Sequence, residues 1–215
     1  MQFLEHHLIY EESFWGHDVR LRHITQGSNT LVVFFPGQNY SCELPVLYYA
    51  VQSATSQGMD ALILEYGFQS ARVALEREQR SILEEEILQM VRRGSEGYEQ
   101  LIFVSKSLGT LLAGYTAKHL TNYSIRHLYL TPLDSTLTYM QHSKGMVIYG
   151  TKDSLFSEES RAKLASCSEL KIHQVLDAGH GLETSNPRKS AELTSQLVEE
   201  YIRFFTSIEE ETYSS

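Results

Sequence analysis

The 215-residue sequence has only two cysteines, Cys42 and Cys167. Two cysteines cannot form a disulfide framework, and free thiols in a reducing cytosol are expected. No stretch approaches the roughly 18 consecutive apolar residues of a membrane span. The start of the chain, Met1-Gln2-Phe3-Leu4-Glu5-His6-His7, lacks a basic region followed by an apolar run, so no secretory signal is expected and a cytoplasmic protein is. Basic residues are scarce: 18 Lys and Arg stand against 27 Asp and Glu, for a net charge of −9. Arg92-Arg93 and Arg188-Lys189 are isolated pairs, and without a basic patch an acidic chain repels phosphate backbones, which argues against nucleic acid as a partner. Neither an H-E-x-x-H nor a Cys-x-x-Cys spacing occurs among the nine histidines and two cysteines. Scattered surface histidines and no metal are therefore expected. Low-complexity segments, internal repeats and linkers are absent as well. Residues 1–215 are expected to form one domain, with 206–215, including Glu209-Glu210-Glu211, a frayed acidic tail.

Apolar residues make up 42% of the chain and charged residues 21%, a globular composition. A chain of this length buries roughly 70% of the surface its unfolded form exposes, enough for a core without staples. Short apolar runs rich in Val, Ile, Leu, Phe and Tyr predict core strands at 31–35, 61–64, 101–104, 128–130, 146–149 and 172–176. Near-continuous apolar strands suit a parallel sheet covered on both faces. Leu8-Ile9-Tyr10 and the alternating Val19-Arg20-Leu21-Arg22-His23-Ile24 read instead as an antiparallel hairpin at one edge. Helical periodicity predicts helices over 43–57, 75–93 (ended by Gly94), 108–120, 157–166 and 190–205. A strand pair followed by repeated strand–helix units is a doubly wound α/β pattern.

The chemistry concentrates in Leu101-Ile102-Phe103-Val104-Ser105-Lys106-Ser107-Leu108-Gly109-Thr110. An apolar strand enters an apolar helix through Ser-x-Ser-x-Gly, close to the G-x-S-x-G of a nucleophile elbow. The tight turn needs small residues two before and two after its tip, and it forces Ser107 out of the sheet. A nucleophilic serine needs a base, an orienting acid and an oxyanion site. Asp153, in Tyr149-Gly150-Thr151-Lys152-Asp153, follows one core strand, and His180, in Ala178-Gly179-His180-Gly181, follows the last. Loops at the carboxyl ends of parallel strands converge, and the order Ser, Asp, His fits this elbow. Asp134, after an earlier strand, is a rival acid. The loop Phe35-Pro36-Gly37-Gln38-Asn39-Tyr40 after the first core strand suits an oxyanion site. The backbone amides of Gln38 and Leu108 are the expected donors, with Asn39 as the alternative. Tyr40, Phe68, Phe156 and Leu182 are candidates for an apolar substrate pocket.

With these pieces in place, the chain resembles the α/β-hydrolase superfamily over nearly its full length. It is most similar to compact bacterial members of dienelactone-hydrolase-like type. Phe35-Pro36-Gly37-Gln38, Pro45-Val46-Leu47-Tyr48-Tyr49, Ser105-Lys106-Ser107-Leu108-Gly109, Gly150-Thr151-Lys152-Asp153 and Gly179-His180-Gly181-Leu182-Glu183 carry the resemblance. Two positions depart from it: Ser105 replaces a glycine, and Pro36 stands where many relatives carry histidine. The resemblance implies an eight-stranded, mostly parallel sheet with an antiparallel N-terminal edge hairpin and helices on both faces. It also implies a triad of Ser107, Asp153 and His180. Relatives insert a lid where this chain has only residues 134–144, so little or no lid and an open site are expected.

The expected activity is hydrolysis of a small carboxylic ester or thioester through an acyl-enzyme, with no cofactor. The partner is then a small-molecule ester-like substrate. The alternatives are a hydrolase-like scaffold that binds without turnover, or an acyltransferase or carbon–carbon bond hydrolase on the same three residues.

Overall fold

The computed structural model describes residues 4–213, and the side chains of 4–208. Eight strands form one sheet: β1 (Glu5–Glu11), β2 (Val19–Thr25), β3 (Thr30–Phe35), β4 (Asp60–Ile63), β5 (Gln100–Lys106), β6 (Ile125–Leu130), β7 (Lys144–Gly150) and β8 (Leu170–Val175). Their spatial order is β1-β2-β4-β3-β5-β6-β7-β8. β1 and β2 are antiparallel to each other and β2 to β4, and every other pairing is parallel. The edge hairpin and the parallel run read from the apolar patterning are both present.

Strand residues alternate between two cores, as a two-residue side-chain period requires. Val32, Phe34, Ile102, Val104, Leu128, Leu130 and Ile148 face one side. There they meet α1 (Pro45–Ser56) and α7 (Pro187–Tyr213). Leu31, Val33, Phe35, Leu101 and Phe103 face the other, against α3 (Arg80–Gly94) and α4 (Leu108–His119). A third cluster, Tyr129, Val147, Tyr149, Phe156 and Leu164, lies under α5 (Leu137–Met140) and α6 (Glu158–Leu164). A further single turn, α2 (Gly67–Ser70), follows β4. Among the described residues no helix is long and apolar enough to cross a membrane.

Several boundaries differ from the periodic reading, each for a local reason. α1 begins at Pro45 rather than 43, because a residue before proline is held out of the helical region. The segment before α3 is a 3₁₀ turn, Arg77–Gln79, closed by reciprocal Glu76–Gln79 hydrogen bonds, so the helix starts at Arg80 rather than 75. Gly94 does not end α3 by a left-handed turn, since Ser95 follows at φ −94°. Its role is close packing: a Cβ there would stand 2.5 Å from Leu62 Cδ2. α7 starts at Pro187, where Asn186 Oδ1 accepts from the Arg188 and Lys189 amides. It runs to Tyr213 and buries Phe205 and Ile208. The segment from 206, expected to fray, continues this helix, and residues 214–215 lie outside the described ones.

Candidate active site

Ser107 lies between β5 and α4 at φ 53° and ψ −117°, a region a non-glycine residue enters only at a cost of about 1–3 kcal/mol. The surroundings over-determine it. Its N–H donates to Leu130 O at 3.2 Å, and its carbonyl accepts from Thr110 Oγ1 at 2.6 Å. Gly109 permits the turn by close approach: a Cβ there would stand 2.3 Å from Phe35 O and 2.5 Å from Pro36 O. Ser105 is fully buried and its hydroxyl has no partner, so the strand accommodates it as a small residue rather than for its hydrogen bonding.

The turn presents Ser107 Oγ 2.8 Å from His180 Nε2. His180 Nδ1 lies 3.0 and 2.9 Å from the two oxygens of Asp153. Asp153 is 2% exposed and also accepts the Leu155 amide at 2.9 Å. With Nδ1–H donating to Asp153, Nε2 is left free to accept from the serine hydroxyl. Asp134, the rival acid, is exposed at the surface and accepts instead from the Ser157 amide at 2.7 Å.

The loops that carry Asp153 and His180 are joined backbone to backbone. Lys152 N–H donates to Ala178 O at 2.9 Å, and a Cβ on Gly150 would stand 2.1 Å from that same oxygen. Arg161 fastens the acid loop from the far side. Its guanidinium donates to Thr151 O at 3.0 Å and to Asp153 O, and it lies 5.3 Å from the centre of the Tyr149 ring.

The Pro36–Tyr40 loop crosses in front of the elbow, where a Cβ on Gly37 would lie 3.4 Å from Ser107 Cβ. Its carbonyls are tied away from the serine. Tyr66 Oη donates to Pro36 O at 2.8 Å, and Gln69 Nε2 donates to Gly37 O at 2.8 Å and Gln38 O at 2.9 Å. Among the described residues the amides of Gln38 and Leu108 donate to no protein group. An N–H at the first position of a helix is unpaired by construction, and α4 leaves Leu108 there. Sequence reasoning missed Tyr66, Gln69 and Arg161. Each acts through a long-range contact that leaves no periodic trace.

A cleft of about 580 Å³ opens beside this loop, with Pro36, Gln38, Asn39, Tyr40 and Phe68 in its wall. Phe156 and Leu182 are 0% and 1% exposed and pack in two different cores, not in that wall. The structure thus corrects both as pocket candidates: an apolar residue on a connecting loop reads alike whether it faces a cleft or closes a core. Cys42 is buried with its thiol toward Phe34 O, and burial pushes its pKa up. His127, which carries no motif in the sequence, is 2% exposed. It stacks on Tyr129, and burial pushes its pKa down to about 3. Among the described residues no group of three or more His, Cys, Asp or Glu is placed to hold a metal. The segment after Leu133 forms a 3₁₀ turn and α5 before β7 begins.

The fold recurs in solved structures. A putative α/β hydrolase from Agrobacterium tumefaciens superposes at a TM-score of 0.71, with 12% identity over 93% of this chain and 97% of that one. A dienelactone hydrolase from Anabaena variabilis gives 0.64 at 12% identity, covering 95% and 99%. An esterase from Pyrococcus furiosus gives 0.66 at 12% identity, covering 94% and 92%. The chain has the α/β-hydrolase fold. No family model matches the sequence, and no curated protein does. At such low identity the likeness is one of architecture, and the α/β-hydrolase fold hosts many reactions, so function has to be argued from the residues at its carboxyl edge.

Proposed function

We propose that the protein is a serine hydrolase acting on a small carboxylic ester or thioester. The observation that carries this reading is the unbroken hydrogen-bond chain from Ser107 Oγ through His180 to buried Asp153, at a strained elbow beside two unpaired amides. His180 Nε2 takes the hydroxyl proton as Ser107 Oγ attacks the carbonyl carbon. Asp153 keeps the imidazole in the required tautomer and stabilises the imidazolium. The amides of Gln38 and Leu108 donate to the oxyanion. His180 then protonates the departing alcohol or thiol. It next removes a proton from the water that attacks the acyl-enzyme, and the imidazolium returns that proton to Ser107 Oγ as the C–O bond breaks and the acid is released. No cofactor enters any step. The two solved neighbours named esterase and dienelactone hydrolase favour ester chemistry on this architecture.

The test is labelling with a fluorophosphonate probe, followed by turnover of short-chain p-nitrophenyl esters and acyl-thioesters. The parent protein is expected to label and to hydrolyse, and Ser107→Ala and His180→Ala to do neither. Full esterase activity in Ser107→Ala would sink the proposal. Alternative acceptors added to the assay separate hydrolysis from acyl transfer.

A further inference from the structure

Lys106 immediately precedes the elbow serine, yet the reaction as written gives it no task. Its side chain leaves β5 on the face opposite to Ser105 and is 1% exposed. Nζ donates to Thr131 Oγ1 at 2.8 Å and to the main-chain carbonyl of His180 at 2.8 Å. It lies 4.7 Å from the centre of the Tyr40 ring. The ion-paired lysines among the described residues are Lys144, Lys152 and Lys163, and Lys106 is not one of them. An ammonium buried without a counter-ion in contact costs several kcal/mol. A long apolar residue would fill the same space without that cost. The charge is therefore understood through what its hydrogen bonds hold.

What they hold is the backbone on either side of the elbow. Thr131 follows β6 at φ 44°, although it is β-branched, and its N–H donates to Ile148 O at 2.8 Å. Leu182, two residues after His180, stands at φ 57°. Strained residues persist where neighbouring contacts over-determine them, and Lys106 bonds to one such turn and next to the other. The imidazole of His180 is fixed by its ring nitrogens alone unless its main chain is fixed too. Lys106 provides that second point. Burial pushes its pKa down to about 8, against the pull of the Asp153 and Glu183 carboxylates. The groups facing it are Asp153 from the loop after β7, His180 and Glu183 from the loop after β8, and Tyr40 from the loop after β3.

We propose that Lys106 is a positioning residue, whose buried ammonium clamps the His180 main chain to the Thr131 turn and so holds the imidazole in line with Ser107 Oγ. The proposal rests on the serine-hydrolase reading of Ser107, because a clamp on His180 matters only if its imidazole moves a proton. Lys106 touches no substrate, so its loss acts on kcat and leaves KM within about twofold.

The experiment compares the parent protein with Lys106→Met, Lys106→Gln and Thr131→Val. Two readouts are used: the rate constant of fluorophosphonate labelling, and the downfield proton NMR resonance of the His180 Nδ1–H bound to Asp153. A misplacement near 1 Å costs about 100-fold in rate, so Lys106→Met is expected to label about 100-fold more slowly and to shift or lose the resonance. Lys106→Gln keeps an N–H donor and is expected to recover part of the rate. Thr131→Val leaves the bond to His180 in place and is expected to slow labelling only severalfold. Folded Lys106→Met and Thr131→Val proteins that label at the parental rate with the resonance unmoved would overturn the clamp. If Lys106→Met does not fold, Lys106→Gln and Thr131→Val decide by the same two readouts. If the parent does not label, the nucleophile reading fails on its own. The resonance then still tests the clamp, which an unshifted signal in the Lys106 variants overturns.

Discussion

The two ends of the parallel strands solve the same backbone problem with different residues. At the amino end, positive φ angles fall on glycines: Gly27 after β2, Gly58 before β4, Gly97 before β5 and Gly145 in β7. At the carboxyl end they fall on Ser107, Thr131, Asp177 and Leu182, with Arg72 beside the cleft, and on one glycine only, Gly16 in the β1–β2 turn. Glycine adopts these angles without steric cost, so the amino end relaxes into its turns. The carboxyl end keeps side chains at angles they disfavour, held there by neighbouring contacts.

The buried polar groups divide the same way. Asp60, at the amino end, accepts from the Gln26 and Ser28 amides and from Tyr98 Oη, which in turn meets His23 Nε2 at 2.8 Å. Asp153 and Lys106, at the carboxyl end, hold a histidine by its ring and by its main chain. The same chemistry that fastens the fold at one end would, on the proposed function, align a proton path at the other.

The sharpest break between the two ends is catalytic. Asp153→Asn keeps the shape of the site but favours the wrong imidazole tautomer, and kcat on a p-nitrophenyl ester is expected to fall about 10⁴-fold. Asp60→Asn is expected to leave it unchanged, and steady-state kinetics on the two variants checks both.

The next contrast is in the pH dependence of stability, measured by denaturant unfolding. His127 has a folded pKa of about 3, below its ordinary 6.5. Its contribution is therefore present above pH 6.5 and lost as pH falls toward 3, by roughly 1.4 kcal/mol per unit at most, and His127→Phe removes it. Lys106 has a folded pKa of about 8, below its ordinary 10.5. Between these values the unfolded chain binds more protons than the native one, so stability rises with pH over that window. Lys106→Met is expected to flatten that rise.

The smallest effect is a pair of substitutions of opposite sign. Ser107→Gly relieves the elbow and is expected to stabilise the protein by about 1 kcal/mol while abolishing probe labelling. Gly97 has open space where a Cβ would go, so Gly97→Ala meets only the φ penalty. It is expected to cost about 1 kcal/mol and leave labelling intact. Thermal melts with probe labelling of both variants check the pair.

Much of this division was legible before any coordinates. The apolar runs of β3 and β5 to β7 announced a sheet covered on both faces, because burial on two sides forces near-continuous hydrophobicity. The sequence around Ser107 announced its turn, because the geometry admits only small residues at two fixed offsets. What stayed hidden depends on distant partners. Lys106 occupies the variable position of its motif, and only the return of the chain at Thr131 and His180 gives it a meaning. Gln69 and Tyr66 orient a loop some thirty residues earlier in the chain. Phe156 and Leu182 carry the composition of a pocket and the location of a core. Gly94 does end α3, but the close approach to Leu62 that it permits could not be read from the sequence.

The seam between Gly150 and Ala178 has a consequence for how such a site can be rebuilt. Because Asp153 and His180 sit on segments stitched through Lys152 N–H and Ala178 O, with no room for a side chain between them, they are a single cassette rather than two separate parts. A designer who wishes to move this chemistry to another parallel sheet would transplant 150–153 and 178–181 together and leave only one joint to tune, the one that faces the serine.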